Sequence, residues 1–466
     1  MADFASHIGD ANSGRSVGPQ GLVLSKSILN FTRAVVGKAL VEMHGVTCVL
    51  RGLARWPIHS RGNTMRNPSN SGALAKSGAL GVVALAGGLF VASCSAAETD
   101  LDQAAAQTID LTATIAQVDA SIPGLMEEAG VSGYSIAVTQ HGEMVWSQAY
   151  GLASVEPERA TETSTIFEAA SLGKVVLALV TLRLADQGVI DLDEPLADTF
   201  AYPLLDHDPR YAQLTPRIIL HHASGLPNWG GYPLNDERDP VAFDTDPEMG
   251  YQYSGEAYTA LQAFVEHRSG RGFEDLFQEI AAEAGMTDSS FISWAAKTDQ
   301  YARAANLDGP ERDIMAFDRP GAAYSLVSTA EDLARFTAYY FQGGGMSNAA
   351  YNASLETSNG VADDAWGASI PDGATITWTT SWGLQEIDGE RIYLHAGNNG
   401  QFRAFMAYSA DRDIAVAVMA NGQYGLGILS DVLNPLLGDV HPAAVWWRYE
   451  APAEVEETEA AEPAVE

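Results

Sequence analysis

Residues 168–180 read EAASLGKVVLALV, with a serine and a lysine three positions apart at the head of an otherwise apolar run. Leu172, Val175, Val176, Leu179 and Leu182 recur at helical spacing, and Gln187-Gly188 closes the pattern, so the spacing predicts a buried helix. An ammonium inside such a helix is costly unless it is paired or gives up its proton. Lys174 therefore needs a chemical reason, all the more because Lys174 and Lys297 are the only lysines after Cys94. Ser171 and Lys174, at i and i+3, share one helix face. A helix N-terminus offers free N–H groups and partial positive charge, suited to an alkoxide or an oxyanion. A lysine whose proton affinity is lowered by burial can serve as the base of a nucleophilic serine.

Upstream, VSGYSIAVTQHGEMVWSQAYGLASVE from Val131 holds two alternating β-prone runs around His141-Gly142, a hairpin signal. Downstream, a long middle region to about Arg319 carries helix patterns such as AYTALQAFVEHRSG and loops such as HHASGLPNWGGYPLNDERDP. The last third returns to short alternating runs, TITWTTSWGLQEI, RIYLHAG, QFRAFMAYS and DIAVAVMANG, before a helical LGILSDVLNPLLG. Hairpins at both ends with helices between predict an α/β (α+β) fold. One antiparallel sheet is assembled from N- and C-terminal segments, flanked by helices, with a mostly helical inserted subdomain.

The chain has 466 residues and is 46% hydrophobic, enough for a large packed core. Its net charge of -34 is uneven: residues 1–94 hold 9 of the 26 Lys and Arg but only 3 of the 60 Asp and Glu, leaving 17 basic and 57 acidic residues beyond Cys94. Such a surface repels nucleic acid and anionic lipid, so no nucleic-acid partner is expected. The only cysteines, Cys48 and Cys94, precede this acidic body, which must be held together by packing.

The stretch KSGALGVVALAGGLFVASC, from Lys76 to Cys94, reads as a secretory signal, too short for a comfortable span. Its ending Val91-Ala92-Ser93-Cys94 resembles the lipobox of bacterial lipoproteins, so Cys94 is the expected lipidation site. Cleavage at Ser95-Ala96-Ala97 is the alternative. Either route implies export, to the periplasm or to the cell envelope as a lipoprotein whose membrane attachment runs through Cys94. Signals begin with a short basic region, which MRNPSNSGALAK from Met65 supplies. Met65 is accordingly the expected start, with a disordered leader as the alternative reading of residues 1–64. The expected organisation is an extension and signal over 1–94, a linker and first helix over 95–120, a catalytic domain over 121–440 and an acidic disordered tail over 441–466.

Two further residues carry chemical interest. Tyr253 precedes a helix that Ser254 can cap, where a nearby ammonium would favour its phenolate. His395, in LHAGNNGQF, ends a strand pattern before a glycine-rich turn whose backbone N–H groups can complete an oxyanion hole. Taken in order, these features resemble the serine β-lactamase and penicillin-binding protein superfamily, in its class C β-lactamase, DD-peptidase and esterase branch. LADQGVIDLDEPLADTF, LTPRIILHHASGLPNW, FQEIAAEAGMTDSSF and AAYSLVSTAEDLARF are similar to further family segments, so the likeness runs from Val131 to Gly422.

The resemblance implies a β-lactamase/transpeptidase-like fold and an acyl-enzyme mechanism. Ser171 would be the nucleophile, Lys174 its proton partner, and Tyr253 the tyrosine of the Tyr-x-Asn motif. His395-Ala396-Gly397 would replace the Lys-Thr-Gly strand motif, and the backbone N–H groups of Ser171 and Asn398, the latter just after Gly397, would form the oxyanion hole. Two departures stand out. Gly255 occupies the place of the motif asparagine, with Glu256 as a candidate substitute, and His395 in place of lysine weakens the positive potential for a substrate carboxylate, which Arg403 is a candidate to restore. Beyond Cys94 neither Gly-x-Ser-x-Gly nor His-Glu-x-x-His occurs, and neither metal nor cofactor is expected. The sequence thus predicts an exported serine hydrolase acting on small esters, amides, D-amino-acid peptides or β-lactams. A non-catalytic cell-wall or ligand-binding member of the same fold is the alternative.

Overall fold

The computed structural model describes residues 109–449 other than 232–237, 307–308, 359–369 and 372. The strands are β1 (Gly133–Gln140), β2 (Glu143–Ser154), β3 (Arg159–Ala160), β4 (Phe167–Ala170), β5 (Ala304–Asn306), β6 (Gly309–Arg312), β7 (Leu326–Ser328), β8 (Ala374–Trp378), β9 (Gly383–Ile387), β10 (Glu390–Asn399), β11 (Phe402–Ser409) and β12 (Ile414–Ala420). The helices are α1 (Thr112–Ala129), α2 (Gly173–Asp186), α3 (Pro216–Leu220), α4 (Gly255–Ser269), α5 (Phe273–Ala284), α6 (Ala330–Phe341), α7 (Asn348–Ser354), α8 (Leu429–Leu437) and α9 (His441–Trp446).

Eight strands form one antiparallel sheet in the order β3-β2-β1-β12-β11-β10-β9-β8. The N-terminal hairpin meets the C-terminal strands where β1 pairs with β12, Ile136 opposite Val418, as the alternating runs predict. Alternation sorts these two strands between two cores. Ile136, Val138, Val416 and Val418 join α1, α8 and α9 on one face, whereas Ala137, Ala417 and Met419 join α2, α4, α5 and α6 on the other. With both faces covered, every residue of β1 and β12 is buried, so their alternation is between two cores rather than between core and water.

Helix α2 lies inside the second core, and its buried residues include Lys174. The chain from α3 to α5 is the mostly helical insertion. The C-terminal boundary differs from the sequence reading. Residues 441–449 belong to the domain, because Ala443, Val445 and Trp446 of α9 are buried, and Trp447 packs against Phe405 with ring centroids 6.0 Å apart. Two tryptophans in seven residues make burial there more favourable than solvation. The start of the domain also lies earlier, since α1 begins at Thr112 and buries Val118, Ile122 and Met126. Met65, the signal stretch, Cys94 and residues 450–466 lie outside the described residues.

Candidate active site

The local backbone explains why the serine is presented. A Cβ at Gly397 of β10 would lie 2.2 Å from the Ala169 carbonyl oxygen, so only glycine lets β4 approach β10 this closely. The chain next turns at Ala170, whose φ of 51° is a left-handed conformation that alanine rarely adopts. It then enters α2 through the Lys174 N–H bond to the Ser171 carbonyl at 3.0 Å. A Cβ at Gly173 would meet the Ala322 carbonyl oxygen at 2.4 Å, so this turn of helix is pressed against residues 322–323.

That contact aligns the two polar side chains. Lys174 Nζ bonds Ser171 Oγ at 3.0 Å and the Ala323 carbonyl oxygen at 2.9 Å. Ser171 Oγ is itself 3.4 Å from the same carbonyl. Lys174 is 1% exposed and, among the described residues, no carboxylate pairs with it. Its remaining surroundings are the rings of Tyr253, Trp229 and Tyr258, whose centroids lie 4.7, 5.7 and 5.9 Å from Nζ. Burial lowers its pKa to about 7, so near neutrality a large share of the side chain is the free amine. A free amine 3.0 Å from a hydroxyl is placed to accept its proton.

Tyr253 is hydrogen-bonded to Ser171 through its side chain. Ser254 caps α4, its Oγ accepting from Ala257 N–H at 3.0 Å, and its own N–H donates to His222 Nδ1 at 3.1 Å. The His222 ring stacks on Tyr253 at 4.3 Å and on Tyr258 at 4.8 Å, which fixes the phenol in place. Burial raises the Tyr253 pKa, and the bond to Ser171 only partly opposes this. The phenolate expected from the sequence is therefore corrected to a neutral phenol: Lys174 lies over the ring face, and desolvation dominates at the hydroxyl.

Ser171 opens into a cavity of about 960 Å³ whose lining includes Asn228, Trp229, Tyr253, Phe317, Tyr324, Ala396, Asn398, Gly400, Trp447 and Tyr449. Asp318 and Arg319 bring one charge of each sign to its wall. Glu168, fully buried, ties the two sides together. It accepts from Arg312 at 2.9 Å, Met315 N–H at 2.8 Å and Asn399 Nδ2 at 2.8 Å, fastening the end of β10 to the strand that precedes Ser171. Gln262 holds the facing segment through Ala322 N–H at 2.7 Å and the Pro320 carbonyl at 3.0 Å.

The structure thus brings Ser171, Tyr253 and Asn398 to one cavity, with Lys174 buried outside its lining and bonded to Ser171 Oγ. Three other residues sit differently from their expected roles. His395 is 1% exposed and is absent from the cavity lining; its Nδ1 bonds the Ala396 carbonyl at 2.9 Å, and its ring packs 5.5 Å from Trp378. Burial, aided by Lys174, lowers its pKa to about 3, so it is neutral and supplies no cation. Glu256 cannot stand in for the missing amide, because its carboxylate is committed to a buried ion pair with Arg238 and accepts Gly230 N–H at 2.7 Å. Arg403 turns onto its own hairpin, donating to Asn398 Oδ1 at 2.7 Å, the Phe402 carbonyl at 3.1 Å and the Gly400 carbonyl. It braces the β10–β11 turn, on which Asn398 stands, rather than lining the cavity.

Sequence reasoning assigned no part to Glu168, Gln262, Trp229 or the Ala323 carbonyl. Glu168 heads the quoted stretch and Trp229 ends LTPRIILHHASGLPNW, so both were in view, whereas a backbone carbonyl leaves no residue signal. Among the described residues no group of three or more His, Cys, Asp or Glu side chains is placed to hold a metal ion, and no helix is long and apolar enough to cross a membrane.

Comparison with known proteins fits this geometry. Residues 118–431 match the family model described as Beta-lactamase. Esterase EstB of Burkholderia gladioli is 29% identical over 215 residues, 40% of this chain and 54% of that protein. The chain thus aligns with little more than half of the esterase's length. Penicillin-binding protein 4 of Amycolatopsis lactamdurans is 23% identical over 346 residues, covering 68% of this chain and 87% of that protein. Among solved structures, a class C beta-lactamase superposes with a TM-score of 0.58 at 19% identity, over 72% of this chain and 98% of that one. D-amino acid amidase from Ochrobactrum anthropi SV3 gives 0.53 at 20% identity, over 66% and 91%. At such identities the solved structures establish the fold, and the family match covers the catalytic-domain sequence; the chain belongs to the beta-lactamase family, a family of serine hydrolases.

Proposed function

We propose that this protein is an exported serine hydrolase that works through an acyl-enzyme, with small esters or amides as its substrates. Ser171 Oγ attacks the carbonyl carbon while Lys174 Nζ takes its proton. The backbone N–H groups of Ser171 and Asn398 hold the oxyanion. The Tyr253 phenol passes a proton to the leaving group, and water then releases the acyl group. The observation that carries this reading is the 3.0 Å contact between Ser171 Oγ and a buried lysine that has no carboxylate partner among the described residues.

Esters are favoured over β-lactams and D-amino-acid peptides because neither His395 nor Arg403, the candidates for holding a substrate carboxylate, presents a cation to the cavity. His395 is neutral, Arg403 is turned to its own hairpin, and Arg319 stands beside Asp318. The wall of Trp229, Phe317, Tyr324, Trp447 and Tyr449 suits apolar groups instead. Export, and membrane attachment through Cys94, rest on the signal-like stretch from Lys76 to Cys94.

Intact mass of the full chain after brief, separate exposure to a fluorophosphonate, an activated ester and a penicillin tests this. A fluorophosphonate adduct mapped to Ser171, with turnover of the ester and slow or no turnover of the penicillin, is expected. Folded protein without any adduct would favour a ligand-binding member of the fold.

A further inference from the structure

A second cavity, of about 510 Å³, adjoins the catalytic one, and Ala316 lines both. Ser293, on the wall of the second cavity, donates through Oγ to the Met315 carbonyl at 2.9 Å and accepts from Phe317 N–H at 3.1 Å. Met315 and Phe317 in turn line the cavity of Ser171, so one segment bounds both spaces.

Two polar groups of the second cavity stand opposite each other where β2 pairs with β3. Ser154 and Arg159 are cross-strand partners, and both line the cavity. Ser154 is 2% exposed, and its Oγ has no hydrogen-bond partner among the described residues. Arg159, half-buried, donates from Nη2 to the Tyr301 carbonyl and has no carboxylate partner among the described residues. Arg303 on the same wall is neutralised by Glu311 and Asp313, each at 2.8 Å. A guanidinium and a buried hydroxyl, both with donors to spare and side by side, suit a carboxylate. Tyr301 also fixes where the apolar part of a ligand would lie. Its carbonyl takes the Arg159 bond, and its hydroxyl accepts from Trp294 N–H at 2.7 Å. The Trp294 indole and Ile314 give the cavity an apolar wall.

We propose that this cavity is a second ligand site, separate from that of Ser171, for a small monocarboxylate with an aromatic body. The carboxylate accepts from Arg159 and Ser154, and the ring lies against Trp294 and Ile314. The exposed carboxylates of Asp299 and Asp313, on the same lining, disfavour a second negative charge.

4-Benzoylbenzoate, a monocarboxylate with a photoreactive diaryl ketone, serves as both ligand and locator on the full chain. Calorimetry reads its binding, and peptide mass spectrometry after irradiation reads where it attaches. Saturable binding is expected, with attachment within residues 154–159 or 293–303. The uncharged 4-benzoylbenzamide is expected to bind at least about tenfold more weakly, and Arg159→Gln to weaken binding of the carboxylate by at least about tenfold, the scale of hydrogen bonds to a charged group. A thermal melt like that of the unaltered chain verifies that Arg159→Gln is folded; should it not fold, the amide comparison and the attachment map decide. Absence of saturable binding, attachment confined to other residues, equal binding of the amide, or unchanged binding by folded Arg159→Gln would each overturn the proposal.

Discussion

Helix α2 and strand β10 each bring a buried base toward the same site, and the two are set up in contrasting ways. Lys174 and His395 are each 1% exposed, and burial makes both easier to deprotonate. Lys174 keeps Ser171 Oγ and one carbonyl as its polar contacts, so its proton can move to and from the serine. His395 spends its Nδ1 on the next carbonyl and its ring on tryptophan and tyrosine faces, so its protonation is settled well below neutral pH. Burial alone does not make a catalytic base; a pKa near the working pH together with a hydrogen bond to the reacting atom does.

The largest effect that separates the two is expected from Lys174→Met, which fills the same space without an amine. It should lower kcat/KM for an activated ester by about 10²- to 10⁴-fold, read in steady-state assays on correctly folded protein. The same substitution should raise stability. The native state binds fewer protons than the unfolded state between pH about 7 and the ordinary lysine value, so wild-type stability climbs with pH through that window. The gain in Tm of Lys174→Met over wild type should therefore be larger at pH 6 than at pH 9.

Tyr253→Phe comes next. It retains the stack on His222 and loses the hydroxyl bonded to Ser171, so a drop of about 10²-fold in kcat with substrates of poor leaving group is expected. Activated esters, whose leaving group needs no proton, should lose less. His395→Gln is expected to do least: kcat/KM within about tenfold of wild type, with no new limb in the pH–rate profile between pH 5 and 8. A loss as large as that of Lys174→Met would erase the distinction drawn between the two bases.

The sheet was legible because its strands alternate strictly and its hairpins carry turn residues, and α2 because five apolar positions repeat at helical spacing. Ser171 and Lys174 were legible for the same reason, since a polar pair on an otherwise buried face violates the pattern that surrounds it. Tyr253 was found by motif, but its charge state depends on where Lys174 sits relative to the ring, a three-dimensional fact. Glu256 and Arg403 were misplaced because charged residues two to five positions from a site find partners distant in sequence, here Arg238, and on the far side of a turn, here the Gly400 carbonyl. The part played by Trp229 depends on a contact between a loop and Gly255, a packing relation that no local pattern encodes.

The chain contains five lysines, which makes a direct titration practicable. Protein carrying ¹³C-labelled lysine would be followed by NMR across pH 5 to 11, with Lys174→Arg identifying the signal of interest. One resonance with a midpoint near 7, missing in Lys174→Arg, is the expected result. A Lys174 resonance with its midpoint near the ordinary lysine value of about 10.4 would mean an ammonium beside Ser171 at neutral pH, and would contradict Lys174 as the base.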